Sequence, residues 1–292
     1  MPALPALSVI VPAYDEAGII ERSLRALLTQ ADAPPYEVVV AANGCSDDTV
    51  ARAEALRPLA EARGVGLTVL DIETPGKIGA LNRADAVARG PARVYCDADL
   101  VVTDNLVAET MRALETPEPL PEPRYVSYRL EVAPSRSRVT RAYGRMWRRL
   151  PLLDREPHGI ALYGLNAAGA RQRGPYPDIV ADDHFARLSF APGQRRRLDA
   201  VAYEFVLPEG LGELVQVRTR WSRGNEELAR ARPDLLANEF TAGRYDGFGR
   251  ALARDPVGAL AFVGVWAVGK VQGRRTLASG NKVWERAAQS RR

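Results

Sequence analysis

The sequence predicts an α/β fold built on a mostly parallel sheet covered by helices. Three observations predict it. Short apolar runs alternate with helical patterns through the first third of the chain. Those runs are predominantly apolar, the mark of strands buried on both faces of a parallel sheet. The unusual residues, Tyr14-Asp15-Glu16, Asn43-Gly44 and Asp97-Ala98-Asp99, collect just after the runs, at the strand ends where such sheets bind ligands.

Residues 7–11 read as the first strand, closed by Pro12. Residues 17–30 follow as a helix, because Ile20, Leu24, Leu27 and Leu28 fall on one face. Residues 37–41 are the second strand, and 47–63 a helix with Ser46 as its N-cap. Residues 67–70 and 93–96 are strands three and four, separated by a helix at 77–89. A proline-rich stretch at 116–123 divides this half from a less regular one. There, 125–132 reads as a strand, and 136–150, 182–190 and 211–231 read as helices. No internal repeat or low-complexity tract is visible.

Composition excludes several classes. Of 292 residues, 46% are apolar and 26% charged, an ordinary globular balance. A net charge of +4 is too mild to argue for nucleic acid. The N-terminus shows neither a basic region nor a long apolar run, and the two cysteines, Cys45 and Cys96, show no pairing pattern. A reducing cytoplasm is the expected compartment.

Asp97-Ala98-Asp99 carries the central chemistry. Two carboxylates one residue apart at a strand end can hold a hard divalent cation that keeps open positions for phosphates. Such a cation neutralises charge on a departing diphosphate. Lys77 follows Gly76 and invites a phosphate-loop reading, but Asp71 stands where that motif requires glycine.

Four segments, taken together, resemble glycosyltransferase family 2, whose catalytic domain has the GT-A fold. They are residues 9–16 (Val9 to Glu16), 43–49 (Asn43-Gly44-Cys45-Ser46-Asp47-Asp48-Thr49), 76–82 (Gly76-Lys77-Ile78-Gly79-Ala80-Leu81-Asn82) and Asp97-Ala98-Asp99. They occur in the family's order and spacing. The resemblance implies a nucleotide-binding, mostly parallel sheet with a smaller mixed sheet on the acceptor side. Pro12, Ala13, Tyr14 and Glu16 would line the base and ribose, and Lys77 would offset phosphate charge. Asp99 would hold the metal, Mn2+ or Mg2+, with Asp97 supporting ribose or metal. The family often has paired aspartates after strand two. Ala42-Asn43 stands there, so UDP, GDP and TDP donors all remain open. The implied order places strand one between strands two and four, so Cys45 and Cys96 fall roughly 10 Å apart, beyond disulfide reach.

Two later clusters extend the resemblance. Asp182-Asp183-His184 matches the family's acidic pair, with Asp183 as the expected general base and Asp182 as its alternative. His184 adjoins it as a third candidate metal ligand. Arg218, Arg220, Trp221 and Arg223 match an element that serves the acceptor and the leaving diphosphate. Aligning Arg220-Trp221 puts Val217 where processive synthases carry glutamine, and Gln216 one place early.

The implied activity is inverting transfer of a sugar to an acceptor hydroxyl, on a saccharide or a lipid carrier, in cell-surface polysaccharide or glycolipid synthesis. The expected organisation is a catalytic domain over 1–245, divided into a donor half at 1–115 and an acceptor half at 124–245. A helical appendage, apolar and then basic, follows at 246–292. A sugar nucleotidyltransferase would want a glycine-rich N-terminal loop, which residues 12–16 do not supply. A non-catalytic nucleotide-sugar-binding scaffold is the other alternative.

Two segments raise a membrane question. Residues 136–149 hold six arginines and no acid, with Val139, Tyr143, Met146 and Leu150 at helical spacing. That pattern suits either an anionic membrane surface or a solvated acceptor-side helix. Residues 257–269 are uncharged but shorter than the roughly 20 residues a spanning helix needs. The tail at 274–292 is basic. Peripheral contact with the inner membrane face is expected, and a transmembrane segment is not.

Overall fold

The computed structural model describes residues 4–115, 123–239 and 248–278. Most of the proline-rich divider and the end of the basic tail lie outside the described residues. The chain runs β1 (Leu7–Ala13), α1 (Ile20–Leu28), β2 (Tyr36–Asn43), α2 (Thr49–Glu54), α3 (Arg57–Arg63), β3 (Gly66–Ile72), α4 (Lys77–Val87), β4 (Ala92–Cys96), β5 (Val101–Val102) and α5 (Leu106–Glu115). It continues through β6 (Tyr125–Val132), α6 (Arg138–Trp147), α7 (Pro151–Arg155), β7 (Leu162–Leu165), α8 (Ala167–Arg173), α9 (Asp182–Leu188), β8 (Arg195–Phe205), α10 (Leu211–Ala231), α11 (Phe248–Arg254) and α12 (Pro256–Ala278).

The sheet order is β3-β2-β1-β4-β7-β6-β8-β5. β1 pairs in parallel with β2 and β4, and β2 with β3, as the sequence implies. The acceptor-side strands do not form a separate sheet. β7 pairs antiparallel with β4, so the mixed half is hydrogen-bonded directly onto the parallel half in one eight-stranded sheet. β4 is the seam, and Asp97 follows it immediately.

Every residue of β1 and β2 is buried, and the period of two divides them between two cores. Leu7, Val9 and Val11 pack with Ile20, Leu24 and Leu27 of α1. Ile10, Val39 and Ala41 pack with Ala80, Leu81 and Ala84 of α4 on the opposite face. Full burial of such side chains stabilises by about 1.5–3 kcal/mol each.

The helix expected at 47–63 is broken into α2 and α3. Pro58 occupies the first turn of α3. Its ring would clash with the carbonyl of Glu54, where α2 ends. Ser46 does not cap α2; its backbone N–H and hydroxyl donate to Asp15 Oδ1, at 2.6 and 3.2 Å.

A third core joins α6, α10 and α12 through Tyr143, Met146, Trp147, Leu214, Phe262 and Val265. The apolar face of α6 is therefore spent inside the protein, which removes the reading of that helix as one lying on a membrane. Arg138 and Arg141 of α6, and Arg148 and Arg149 just after it, are exposed. Among the described residues no helix is long and apolar enough to cross a membrane.

Candidate active site

The strand ends of the parallel half are held by side chains braced on backbone. Asn43, at the end of β2, donates to Ala13 O at 2.7 Å and Ala41 O at 3.3 Å. Its Oδ1 accepts from Gly76 N at 2.9 Å. One buried amide thus fixes the ends of β1 and β2 and the loop before α4. Both of its amide N–H bonds are committed to carbonyls, while the residue still lines the cavity at the strand ends. Gly76 sits at φ 146°, ψ 115°, a backbone conformation that L side chains rarely adopt. It turns the chain so that Lys77 opens α4.

Lys77 Nζ lies 2.8 Å from Asp97 Oδ1 and 3.0 Å from Asp182 Oδ2. Burial opposes the lysine charge, but Asp182 and Asp97 more than offset it and raise its pKa. This triangle brings together residues from α4, the end of β4 and the start of α9. Burial, with the neighbouring Asp97 charge, holds the Asp99 carboxyl above the usual carboxylate range. Burial does the same to Asp182, with Lys77 opposing. Arg220 of α10 faces the group; burial lowers its pKa, and Asp97, Asp182 and Asp183 offset part of that.

α10 is locked against the segment that carries the second acidic pair. A Cβ at Gly224 would meet Ala181 Cβ and N at 3.1 Å, so only glycine allows this approach without displacement. Val180 N donates to Glu227 Oε2 at 3.3 Å. The His184 ring is held at both nitrogens, by Asn225 Oδ1 at 2.9 Å and Glu239 Oε2 at 2.8 Å. His184 is therefore a strut between α9, α10 and the segment after α10. Burial would raise the Glu239 pKa, but His184 and Arg187 hold it well below the usual range.

The candidate site residues line one cavity of about 1580 Å3: Pro12, Ala13, Tyr14, Glu16, Asn43, Lys77, Asp97, Ala98, Asp99, Asp182, Asp183, His184, Arg220 and Trp221. The volume exceeds the roughly 300–1,000 Å3 of a single small-molecule site, leaving room for two reactants. The wall opposite the carboxylates is aromatic, with Trp147, Trp221, Phe248, Phe262 and Trp266. Of this wall, sequence reading found only Trp221; it also missed Glu239 and Asn225. Asn225 stood at the end of a segment already noted; Glu239 had no signal.

Among the described residues, the only group of three or more His, Cys, Asp or Glu side chains with ligand atoms within 4.8 Å of one another is Asp15, Cys45 and Asp47. Its oxygens accept from Ser46 N, Thr49 N and Ala17 N, which makes it a brace between two loops. Both cysteines are free, as expected.

A sequence model of glycosyl transferase family 2 matches residues 8–163. Glycosyltransferase AglD of Haloferax volcanii is 38% identical over 113 residues, 37% of this chain and 16% of that one. A glucosyl-3-phosphoglycerate synthase of Mycolicibacterium paratuberculosis is 35% identical over 95 residues, 32% of this chain and 29% of that one. The matches thus span less than a third of either relative. Among solved structures, the mannosyltransferase PcManGT of Pyrobaculum calidifontis, in complex with GDP-Man and Mn2+, superposes with a TM-score of 0.58 at 23% identity, covering 95% of this chain and 80% of that one. S. aureus TarS 1–349 in complex with UDP gives 0.52 at 14% identity, covering 94% and 92%. Both likenesses show the shared GT-A fold. With the family model spanning more than half of the sequence, the chain belongs to glycosyl transferase family 2.

Proposed function

We propose that this chain transfers a sugar from a UDP-, GDP- or TDP-linked donor to an acceptor hydroxyl, with inversion at the anomeric carbon. The observation that carries the reading is the Lys77 triangle. It gathers the Asp97-Ala98-Asp99 turn, the nucleotide-side lysine and the second acidic pair into one cavity at the strand ends. Residues 1–115 then serve the donor and 124–245 the acceptor, while 246–292 supplies part of the cavity wall through Phe248, Phe262 and Trp266.

Asp183 is the general base. Asp182 is buried and paired with Lys77, whereas Asp183 is only half-buried. Asp183 takes the acceptor hydroxyl proton as that oxygen attacks the anomeric carbon and the bond to the diphosphate breaks. Such help is worth about 10²–10⁴ in rate. Arg220 stabilises the departing charge.

Asp97 and Asp99 would hold a divalent cation, Mn2+ or Mg2+. The raised Asp99 pKa reports a desolvated carboxyl close to the Asp97 charge, a repulsion that a cation would relieve. When bound, the cation neutralises charge on the leaving diphosphate.

The test is thermal stability with UDP, GDP and TDP, each with and without Mn2+, for wild type and Asp99→Ala. A ligand at 100 times its dissociation constant adds about 2.7 kcal/mol. A Mn2+-dependent shift with one nucleotide, lost in Asp99→Ala, is expected. Absence of any shift in folded wild-type protein would overturn the reading. Nucleotide binding without donor turnover against any acceptor would identify a scaffold instead.

A further inference from the structure

α12 is apolar on faces that should differ. A stripe of Gly258, Phe262, Val265, Gly269 and Gly273 is buried. It packs so closely on α6 and α10 that a Cβ at Gly269 would sit 2.6 Å from Arg218 Cγ. The opposite face should be polar, as on any helix that covers a domain. It is not. Val257, Leu260, Val263, Val268 and Val271 point outward, with Leu260 77% and Val257 67% exposed. From Val257 to Val271 this strip runs about 21 Å. A strip of this kind marks an interaction surface.

Charge identifies what covers it. α11 and α12 contain no acidic residue. Arg250 and Arg254 are exposed at one end of the strip and Arg275 at the other, with Lys270 beside Trp266. Asp255, between the two helices, is consumed by Arg145 at 2.8 Å and by Gly258 N at 2.9 Å. Two copies packed face to face would bring cations against cations in either orientation, which disfavours a dimer. An anionic surface that also accepts apolar side chains meets both features.

We infer that the outer face of α12 seats this protein on an anionic lipid bilayer, with Leu260 and Val271 inserted and Arg254, Lys270 and Arg275 against the headgroups. The helix lies on the surface and does not span it. Val263 and Trp266 belong both to the exposed strip and to the cavity wall. The aromatic wall of the cavity therefore opens at the lipid level. Resting on the proposed transferase reading, this geometry gives a lipid-borne acceptor hydroxyl a direct approach to the carboxylates.

The test is flotation of the full chain with vesicles of phosphatidylcholine, alone or mixed with phosphatidylglycerol. Wild type is expected to float with the mixed vesicles and much less with the neutral ones. The Leu260→Glu/Val271→Glu double variant should lose at least about tenfold in partitioning, from the apolar burial removed. Arg275→Ala should lose about fivefold on mixed vesicles only. The nucleotide-dependent thermal shift of both variants should match wild type, which shows them folded and separates failure of this surface from failure of the donor site. Wild type remaining unbound, or a double variant that floats as wild type does, would overturn the inference. So would a concentration-dependent wild-type dimer in sedimentation that the double variant abolishes, since that names a second copy as the occupant.

Discussion

The two walls of the cavity are built differently. The wall from Pro12 to Asp99 consists of strand ends braced by backbone hydrogen bonds, with Asn43 alone tying three segments. The opposite wall, from α6, α10, α11 and α12, is aromatic and held by side-chain packing, as where Trp147 stacks on Trp221 with centroids 6.2 Å apart. A braced wall presents fixed polar groups to a ligand whose charge pattern is constant. A packed wall can change its shape by substitution without disturbing the sheet. On the proposed reading, donor chemistry would belong to the first and acceptor choice to the second.

Four substitutions break or sharpen that contrast. Asp183→Asn should reduce transfer by about 10²–10⁴ while the nucleotide-dependent thermal shift stays intact, because only the acceptor side loses its base. An equal loss of nucleotide binding, read in the same assay, would merge the two walls. Lys77→Met removes a first-wall residue that ties Asp97 to Asp182 of α9. It leaves the buried Asp182 and the partly exposed Asp97 without their shared cation. Breaking a fully buried pair costs about 3–5 kcal/mol, and partial exposure reduces that; the cost is measurable as a lower denaturant midpoint together with loss of the nucleotide shift. Gly224→Val should cost about 1–3 kcal/mol by overpacking against Ala181. Kinetics should show transfer falling more than donor affinity, since Ala181 adjoins the acidic pair.

The smallest effect is a pH dependence. His158 is buried in the cavity wall, and its pKa falls to about 3 because of burial first and the Arg197 and Arg187 charges next. In the unfolded chain it titrates near 6.5. Its neutral form is favoured by folding, so stability is full above the unfolded value and declines as pH falls from about 6.5 toward 3. The decline is at most about 1.4 kcal/mol per pH unit. Thermal midpoints of His158→Asn should lose this part of the acid slope, while its nucleotide shift at neutral pH stays as in wild type.

The contrast also explains what could be read from the sequence. β1 through β4 were legible because each is a short, mainly apolar run, with β1 and β2 buried throughout, a signal that needs no tertiary knowledge. The candidate residues at their ends were legible for the same reason. Pro58 was visible, yet its effect on Glu54 depended on where the helix began, so one helix was expected where two stand. The continuity of the sheet across β4 depended on β7, four residues long and preceded by a loop with no strand signal. The bracing bonds of Asn43 were not legible, because an amide that braces carbonyls and one that reads a base are the same residue in sequence. Glu239 reaches His184 and Arg187 only through the packing of α9 and α10 and the segment after α10.

The Lys77 triangle bears on how far this protein can be divided. The stretch shared most clearly with the family ends at residue 163, before Asp182. A chimera that joined this donor half to another acceptor half would inherit the ammonium and Asp97 but not the second carboxylate. Such exchanges would succeed only where the incoming half restores an acid at that point, whatever else it contributes. One ion pair thus sets the compatibility rule for swapping acceptor modules, and a library of grafts could be filtered on that position alone before any assay of sugar transfer.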